Sequence, residues 1–554
     1  MNAQPRTTLI LVFLISVFAW AGLSYPGYFE LHHGFRPIFN LADLARSLPA
    51  IGWAPVVGQP FDLWRGEGSL PYWLALLPRG LGATPTTSIK LGFAAGLIGA
   101  MLGMYVWARR TLDGWSALTA AAIYGLWPIG LATIYVRGAP AEAVFLAIMP
   151  WLLWTVTGHK RHHAVLLALG VAAAVWTQAG LALWFTALLL GYAVSAAGRQ
   201  PSGTGSAERH RKPTRSMRLR SQAWPIVAGL MLGVAGLAPI AARHGLGGQT
   251  YVNFAEHFVY PHQLLWPGWG IEPGMAGPDD TFAFQLGLIA CGLAVLGLIL
   301  SDRNPTTPPP AMLAMPGASR FSLIAALIPV LLATTVAAPF WRLLPFLQNT
   351  LTYPWQLLLL AGPWLAWLAG LGSRALLARL PSSRHETATP LVAACLLALI
   401  VLGAYGYVRP TRTDTPAPDM PLAIFGADEI ALLDARPTIM QPAGADAALL
   451  QAGTTISVTV QWQALRPLTR DYTVFLHLTD PNGRLQGQQD TMPLDNQLPT
   501  SRWRPGQIVA DQYHATLKPG APASADYRAY LGLYLWQTGE RLRTATDDKV
   551  AVLP

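Results

Sequence analysis

The chain has 554 residues, 52% of them hydrophobic and 12% charged, against roughly 25% charged in a soluble globular protein. That balance excludes a water-soluble protein over most of its length. The net charge of +10 lies in short loops between apolar runs, which excludes nucleic acid as a partner, and neither cysteine, Cys291 or Cys395, falls in the polar C-terminal part, so no disulfide staples it.

A spanning helix needs about 20 mostly apolar residues. In chain order the candidates are 7–25, 88–108, 116–135, 141–157, 164–178, 180–197, 223–242, 282–300, 321–339, 354–372 and 390–408. The first run looks like a signal peptide, but Tyr25-Pro26-Gly27-Tyr28 offers no small-residue cleavage site, so it reads as a retained helix. The apolar stretch 164–197 is too long for one span, and Thr177-Gln178 followed by Gly180 supplies a break. With that break, Arg6, Arg109, Arg110, Lys160, Arg161, the basic segment 198–222, Arg303, Arg320, Arg374, Arg379 and Arg384 all fall on one face. By the positive-inside rule that face is cytoplasmic. The expectation is eleven spans in a plasma (inner) membrane, N-terminus inside, with residues 409–424 as a linker to an extracytoplasmic domain. Segment 301–319 is Pro-rich and reads as a linker; 70–81 is too short to span and reads as an interfacial helix.

From about residue 425 the pattern changes. Ile456, Val458, Val460 and Trp462 alternate with polar residues, as do Tyr472, Val474, Leu476 and Leu478, the period of half-buried strands. Asp480-Pro481-Asn482-Gly483 is a turn signal before a further strand, and more strands are expected near 507–517, 527–536 and 549–553. The fold class is therefore a polytopic α-helical membrane domain, 1–408, followed by an all-β sandwich, 425–554. No internal repeat is evident.

Chemistry-bearing residues concentrate in the connections on the outer side. The first, 26–87, carries Glu30, His32, His33, Arg36, Asp43, Asp62, Arg65 and Glu67. Arg137 and Glu142 sit at the mouths of two spans in Tyr135-Val136-Arg137-Gly138-Ala139-Pro140-Ala141-Glu142. Charges there mark either a site or an ion pair fixing a helix hairpin. The connection 243–281 adds Glu256, His257, Tyr260, His262, Trp266 and Trp269, residues that suit sugar faces or an interfacial aromatic belt. Adjacent His32 and His33 do not converge on one ion, and no metal site is expected. Phosphate-loop, dinucleotide and Gly-x-Ser-x-Gly motifs are absent.

Several segments resemble bacterial membrane proteins of the GT-C glycosyltransferase type, in particular the 6-pyruvoyl-tetrahydropterin synthase-related membrane proteins, a label that implies no pterin chemistry. They are PGYF (26–29), GQPF (58–61), LPYWLALLPRGLG (70–82), YVRGAPAE (135–142), HQLLWPGWG (262–270), FQLG (284–287) and LTYPWQ (351–356). The resemblance implies a many-helix fold with an outward-facing site that passes sugar from a polyprenyl-phosphate donor to a surface glycan acceptor. It also implies a catalytic carboxylate in the first outer loop, at a His-Asp-Gly step. Here that step reads His32-His33-Gly34. The base is then expected at Glu30 or Asp62, with His33 nearby or itself the base. Arg137 would meet the donor phosphate, Glu142 would hold Arg137, and His32, Arg65, His257, His262 and Tyr353 would contact substrate. The C-terminal segments around Trp462, Tyr472, His477, Asp490 and Trp503 resemble a β-sandwich appended to related membrane proteins. Three functions stay open: a glycosyltransferase, a catalytically lapsed relative that binds or assembles surface glycans, and a transporter or flippase. No cofactor is expected beyond the lipid-linked donor; membrane lipid is the expected surroundings.

Overall fold

The computed structural model describes residues 5–29, 31–57, 61–158, 160–197, 215–247, 253–266, 268–269, 277–301, 316–381, 385–413, 420–442 and 449–553. The chain divides into two compact units, Met1–Pro26 with Ser47–Pro55 and Phe61–Thr411, and Gly27–Arg46 with Val56–Pro60 and Arg412–Pro554.

The helices in chain order are α1 (Pro5–Trp20), α2 (Arg36–Arg46), α3 (Leu70–Gly80), α4 (Pro85–Ala108) and α5 (Gly114–Gly125). Then come α6 (Pro128–Tyr135), α7 (Pro140–Val156), α8 (Arg161–Thr177), α9 (Ala179–Ala197) and α10 (Arg215–His244). The last are α11 (Leu288–Ser301), α12 (Pro316–Ala333), α13 (Ala338–Leu343), α14 (Leu358–Leu377) and α15 (His385–Ala404). All but α2 belong to the first unit.

A helix stands at each of the eleven positions expected to span. Among the described residues six are long and apolar enough to cross a bilayer: Arg6–Ser24, Pro85–Ala108, Ala179–Ala196, Arg220–His244, Pro354–Leu377 and Thr387–Val408. The pair α5 and α6, bent by 42°, makes a seventh if it acts as one span. Helices α7, α8 and α11 have 17, 17 and 14 residues. At 1.5 Å per residue they reach about 21–26 Å, short of the roughly 30 Å hydrocarbon core. Length alone thus supports six or seven spans rather than eleven. Helix α14 is the buried centre of the unit; its Trp364 packs edge-on against Trp107 (5.5 Å), Tyr192 (5.2 Å) and Phe321 (5.4 Å).

The break between α8 and α9 falls at Gln178, whose backbone is extended. Two other segments fill it. Gly68 N donates to Thr177 O (2.9 Å), Gly180 N donates to Trp64 O (3.1 Å), and Trp184 Nε1 donates to Thr350 Oγ1 (2.9 Å). A Cβ on Gly180 would lie 1.7 Å from Thr350 O, so the crossing admits glycine alone. Segment 70–81 forms α3.

The second unit is β-rich. Its strands are β1 (Tyr28–Phe29), β2 (Arg412–Thr413), β3 (Ala423–Phe425), β4 (Ile430–Met440), β5 (Thr455–Ala464), β6 (Thr473–Thr479), β7 (Leu485–Thr491), β8 (Ile508–Thr516), β9 (Arg528–Tyr534) and β10 (Val550–Leu553). Two four-stranded sheets, ordered β10-β9-β6-β7 and β3-β4-β5-β8, share one core in which Val458, Trp462 and Tyr513 meet Val474, Leu476, Leu531 and Leu533. The alternation that marks β5 and β6 is the core-facing half of each strand. Strand β4 escapes a period-two reading: Ile430–Leu433 are all buried, and Pro437 sits within it.

Residues 27–46, read from sequence as part of the helical domain, belong to this second unit. Strand β1 pairs antiparallel with β2, Tyr28 opposite Thr413 and Phe29 opposite Arg412. Phe35 N donates to Gln463 Oε1 (3.2 Å), and Gln463 Nε2 donates to Gly506 O (3.0 Å). Gly506, at φ +80°, has no room for a Cβ, which would lie 1.7 Å from Leu31 O.

Candidate functional site

The YVRGAPAE segment folds as a tight helix hairpin. Val136 N and Arg137 N both donate to Ala132 O (3.0 and 2.8 Å), the turn passes through Gly138 at φ +65°, and Pro140 opens α7. Proline suits this first helical position, where an N–H would lack a partner. Glu142 lies in the first turn of α7, where the helix dipole favours a negative charge. Its carboxylate takes Arg137 in a fork: Nε to Oε2 and Nη2 to Oε1, both 3.0 Å. Arg137 and Glu142 are 8% and 2% exposed.

The LTYPWQ segment completes the arrangement. Gln356 Oε1 accepts from Thr352 N (3.0 Å) and Tyr353 N (3.1 Å), and its Nε2 donates to Glu142 Oε1 (2.8 Å). One amide thus closes its own turn and ties it to α7. The Arg137 guanidinium lies 4.7 Å from the Trp355 ring and 5.5 Å from the Tyr353 ring, cation–π distances. Tyr353 stacks on Trp355 at 5.1 Å, and His257 stands edge-on to Tyr353 at 5.1 Å. Phe282 packs on Trp355 at 5.0 Å.

Two buried ring nitrogens here, Trp355 Nε1 and His257 Nδ1, have no hydrogen-bond partner among the described residues. Glu142 uses two of Arg137's five N–H donors; the others have none among the described residues. Burial pushes the His257 imidazole below its usual pKa, opposed by the exposed Glu256. The arrangement offers fixed N–H donors, aromatic faces and a neutral imidazole within one cluster.

Sequence reasoning named Arg137, Glu142, His257 and Tyr353, and the structure brings these four together. It missed Gln356 and Trp355. A signal for Gln356 existed: Tyr260-Pro261-His262-Gln263 repeats the Tyr-Pro-x-Gln of 353–356, and Gln263 Oε1 likewise accepts from Tyr260 N (2.8 Å). His262 itself is exposed, its ring 6.2 Å from Tyr260.

Asp62 and Arg65 form a neighbouring turn. Asp62 Oδ1 accepts from Trp64 N (2.9 Å) and Arg65 N (2.8 Å), while Oδ2 pairs with Arg65 Nε (2.9 Å). The turn meets the LTYPWQ segment through Thr352 Oγ1, which donates to Arg65 O (3.0 Å). Asp62 therefore has both oxygens committed to capping and pairing. His32 and His33 lie in the second unit, in the turn where Gly34 N donates to Leu31 O (2.8 Å). Glu30 falls outside the described residues. Among the described residues, no group of three His, Cys, Asp or Glu side chains has metal-binding geometry.

No protein-family model matches the chain, and no curated protein matches it in sequence. Solved structures overlap it in part. One is the arabinofuranosyltransferase AftD from Mycobacteria, with a TM-score of 0.42 and 18% identity over 74% of this chain. This chain spans about a quarter (27%) of AftD's length. A second is ArnT from Cupriavidus metallidurans bound to undecaprenyl phosphate, with a TM-score of 0.43 and 13% identity over 72% of this chain and 75% of that one. A third is the Archaeoglobus fulgidus oligosaccharyltransferase, with a TM-score of 0.37 and 15% identity over 74% of this chain and 54% of that one. Likeness at this level fixes neither family nor reaction, and the chemistry has to be argued from the residues.

Proposed function

We propose that this chain is a membrane glycosyltransferase of the GT-C type, moving a sugar from a polyprenyl-phosphate donor to a hydroxyl acceptor on the outer face of the inner membrane. The observation that carries the reading is the half-used guanidinium of Arg137, fixed by Glu142 and faced by Tyr353 and Trp355, with His257, one ring nitrogen unpartnered among the described residues, packed edge-on to Tyr353. A paired arginine adds little net charge. It suits a singly charged phosphodiester better than a diphosphate.

In this reading the acceptor oxygen bonds to the anomeric carbon as the carbon–oxygen bond to phosphate breaks. The acceptor proton passes to His257 Nδ1. The departing lipid phosphate gains a negative charge, which the free Arg137 N–H groups stabilise where it develops. Tyr353 and Trp355 supply apolar faces for the sugar or the prenyl chain. Glu30 and His33 are the alternative proton acceptors; Asp62, fully committed, is better suited to positioning Arg65.

One observation favours a second reading. Asp62 and Glu142 each have both oxygens engaged by groups of the chain, as a lapsed relative that binds lipid-linked sugar without turnover would show. The full chain in nanodiscs, given radiolabelled polyprenyl-phosphate sugars and a panel of glycan acceptors, separates the two. The transferase reading expects label in the acceptor, lost in Arg137→Lys and His257→Asn. Donor binding without transfer in the wild type supports the second reading. Transfer that both variants leave intact sinks the assignment of the site.

A further inference from the structure

The arginines of the candidate site are matched by carboxylates, but Arg110, at the other end of α7, has none among the described residues. It follows α4, is half-buried, and donates to Thr157 Oγ1 just past α7. Its Nη2 lies 3.3 Å from His163 Nε2 in the first turn of α8, and its guanidinium lies 4.9 Å from the Trp154 ring. Trp154 packs on His163 at 4.7 Å, and His163 on His162 at 4.3 Å. Lys160, Arg161 and His162 are exposed beside them.

Among the described residues no carboxylate pairs with the Arg110 guanidinium. Asp113, close in sequence, is committed to the start of α5: Oδ1 accepts from Trp115 N (3.0 Å) and Ser116 N (3.1 Å), and Oδ2 from Ser116 Oγ (2.5 Å). A signal for membrane orientation needs only exposed cations. A guanidinium drawn half out of water with no counter-charge among the described residues is unfavourable. With none among the described residues, an anion from outside the chain would supply the missing charge.

The surroundings say which kind. Next to the cations, Val165, Leu166 and Leu169 on α8 and Trp151 on α7 are exposed. Cations bordering exposed apolar helix faces are matched by a molecule with a phosphate at one end and hydrocarbon at the other. We propose that Arg110, with His163 and Trp154, holds the headgroup phosphate of an anionic membrane lipid whose chains lie along α7 and α8. The site lies about 25 Å from Glu142, the length of α7, and is separate from the Arg137 cluster.

The test uses the full chain, delipidated in detergent, re-supplied with phosphatidylglycerol or phosphatidylcholine and read by native mass spectrometry. The wild type should retain phosphatidylglycerol in preference. Arg110→Gln should lower that retention by about fivefold, the size expected for one cation at an anionic surface, and leave phosphatidylcholine unchanged. Excess inorganic phosphate should not displace the lipid. Displacement by phosphate would make this a free-anion site and overturn the lipid assignment, as would equal retention of both lipids or an unaffected Arg110→Gln. Should Arg110→Gln fail to fold, the double variant Lys160→Gln/Arg161→Gln, altered at exposed side chains alone, decides the question by the same criteria. Lipid retention reads this site whatever reaction the Arg137 end performs.

Discussion

Gln356 and Arg137 share one oxygen of Glu142: Gln356 Nε2 donates to Oε1 at 2.8 Å and Arg137 Nη2 donates to the same atom at 3.0 Å. A carboxylate in a buried setting is stable only when paired and hydrogen-bonded, and here two segments far apart in sequence supply both. The network joins the α6–α7 hairpin to the turn before α14, so its loss should be felt in folding as well as in binding.

Removing both members should therefore cost less than the sum of removing each alone. Glu142→Ala leaves a buried guanidinium unpaired, a loss on the order of 3–5 kcal/mol. The double variant Glu142→Ala/Arg137→Ala should be less destabilised than the sum of the singles. Thermal unfolding of the full chain in one detergent measures all three. Strictly additive shifts would mean that the fork contributes no coupling.

The break between α8 and α9 makes a sharper prediction. Gly180→Ala places a methyl 1.7 Å from Thr350 O, so backbone must move and unfolding should shift down by the equivalent of 2 kcal/mol or more, the order of ~1–3 kcal/mol seen for overpacking or above it. Gly92→Ala, within α4 and with nothing within 4 Å of the added carbon, should be neutral or stabilising by about 0.5–1 kcal/mol. Comparable melts for the two variants would contradict the crossing as described.

The contrast between these features shows what a sequence carries. The α8–α9 break was legible because a long apolar run interrupted by Thr177-Gln178 is a local signal, and strands β5 and β6 because alternation is local too. Gln356 was not legible as a site residue because its importance lies in reaching Glu142, 214 positions away. The same holds for residues 27–46. They follow an apolar helix and look like its outer loop, yet Phe35 finds its partner in Gln463, 428 positions on. His33, read from its place in that loop, belongs to the β-rich unit.

That partnership predicts how the β-rich unit behaves in isolation. A fragment covering 412–554 has a complete two-sheet core and should give a β-type circular dichroism spectrum. It lacks the strand that pairs with β2 and the turn that fills the space between Gln463 and Gly506. A peptide of residues 27–46 added in trans should raise its melting temperature, and Gln463→Ala should abolish that rise. A melt indifferent to the peptide would show that this segment adds nothing to the β-rich unit.

Orientation is open to direct test. With eleven spans, Lys160 lies inside and Asn482 outside; both are exposed. Single cysteines at the two positions, in a background with Cys291 and Cys395 replaced, should react with an impermeant thiol reagent from opposite sides of sealed vesicles. Labelling from one side would require an odd change in the number of spans between them, and α8 to α12, which include the short helices, are where it would be sought.

The acid limb of the pH profile tests the role given to His257. Its imidazole is pushed below the usual value by burial, with Glu256 pulling the other way, while Tyr353 faces the ring and Arg137 lies across that same tyrosine. A base works in its unprotonated form, so transfer should be lost as pH falls through the lowered pKa and hold steady above it. An exposed histidine would begin to lose activity near about pH 6.5; here the limb should lie below that pH. Stability follows the same sign. Between the ordinary and the lowered pKa the unfolded chain binds more protons than the folded one, so protonation there favours unfolding as pH falls. His257→Asn should abolish the limb along with most of the transfer, and Glu256→Gln, by removing the charge that favours the protonated ring, should move the limb to lower pH. A limb that Glu256→Gln leaves in place, or that survives in His257→Asn, would assign the proton acceptor to another residue, with Glu30 and His33 the first to examine.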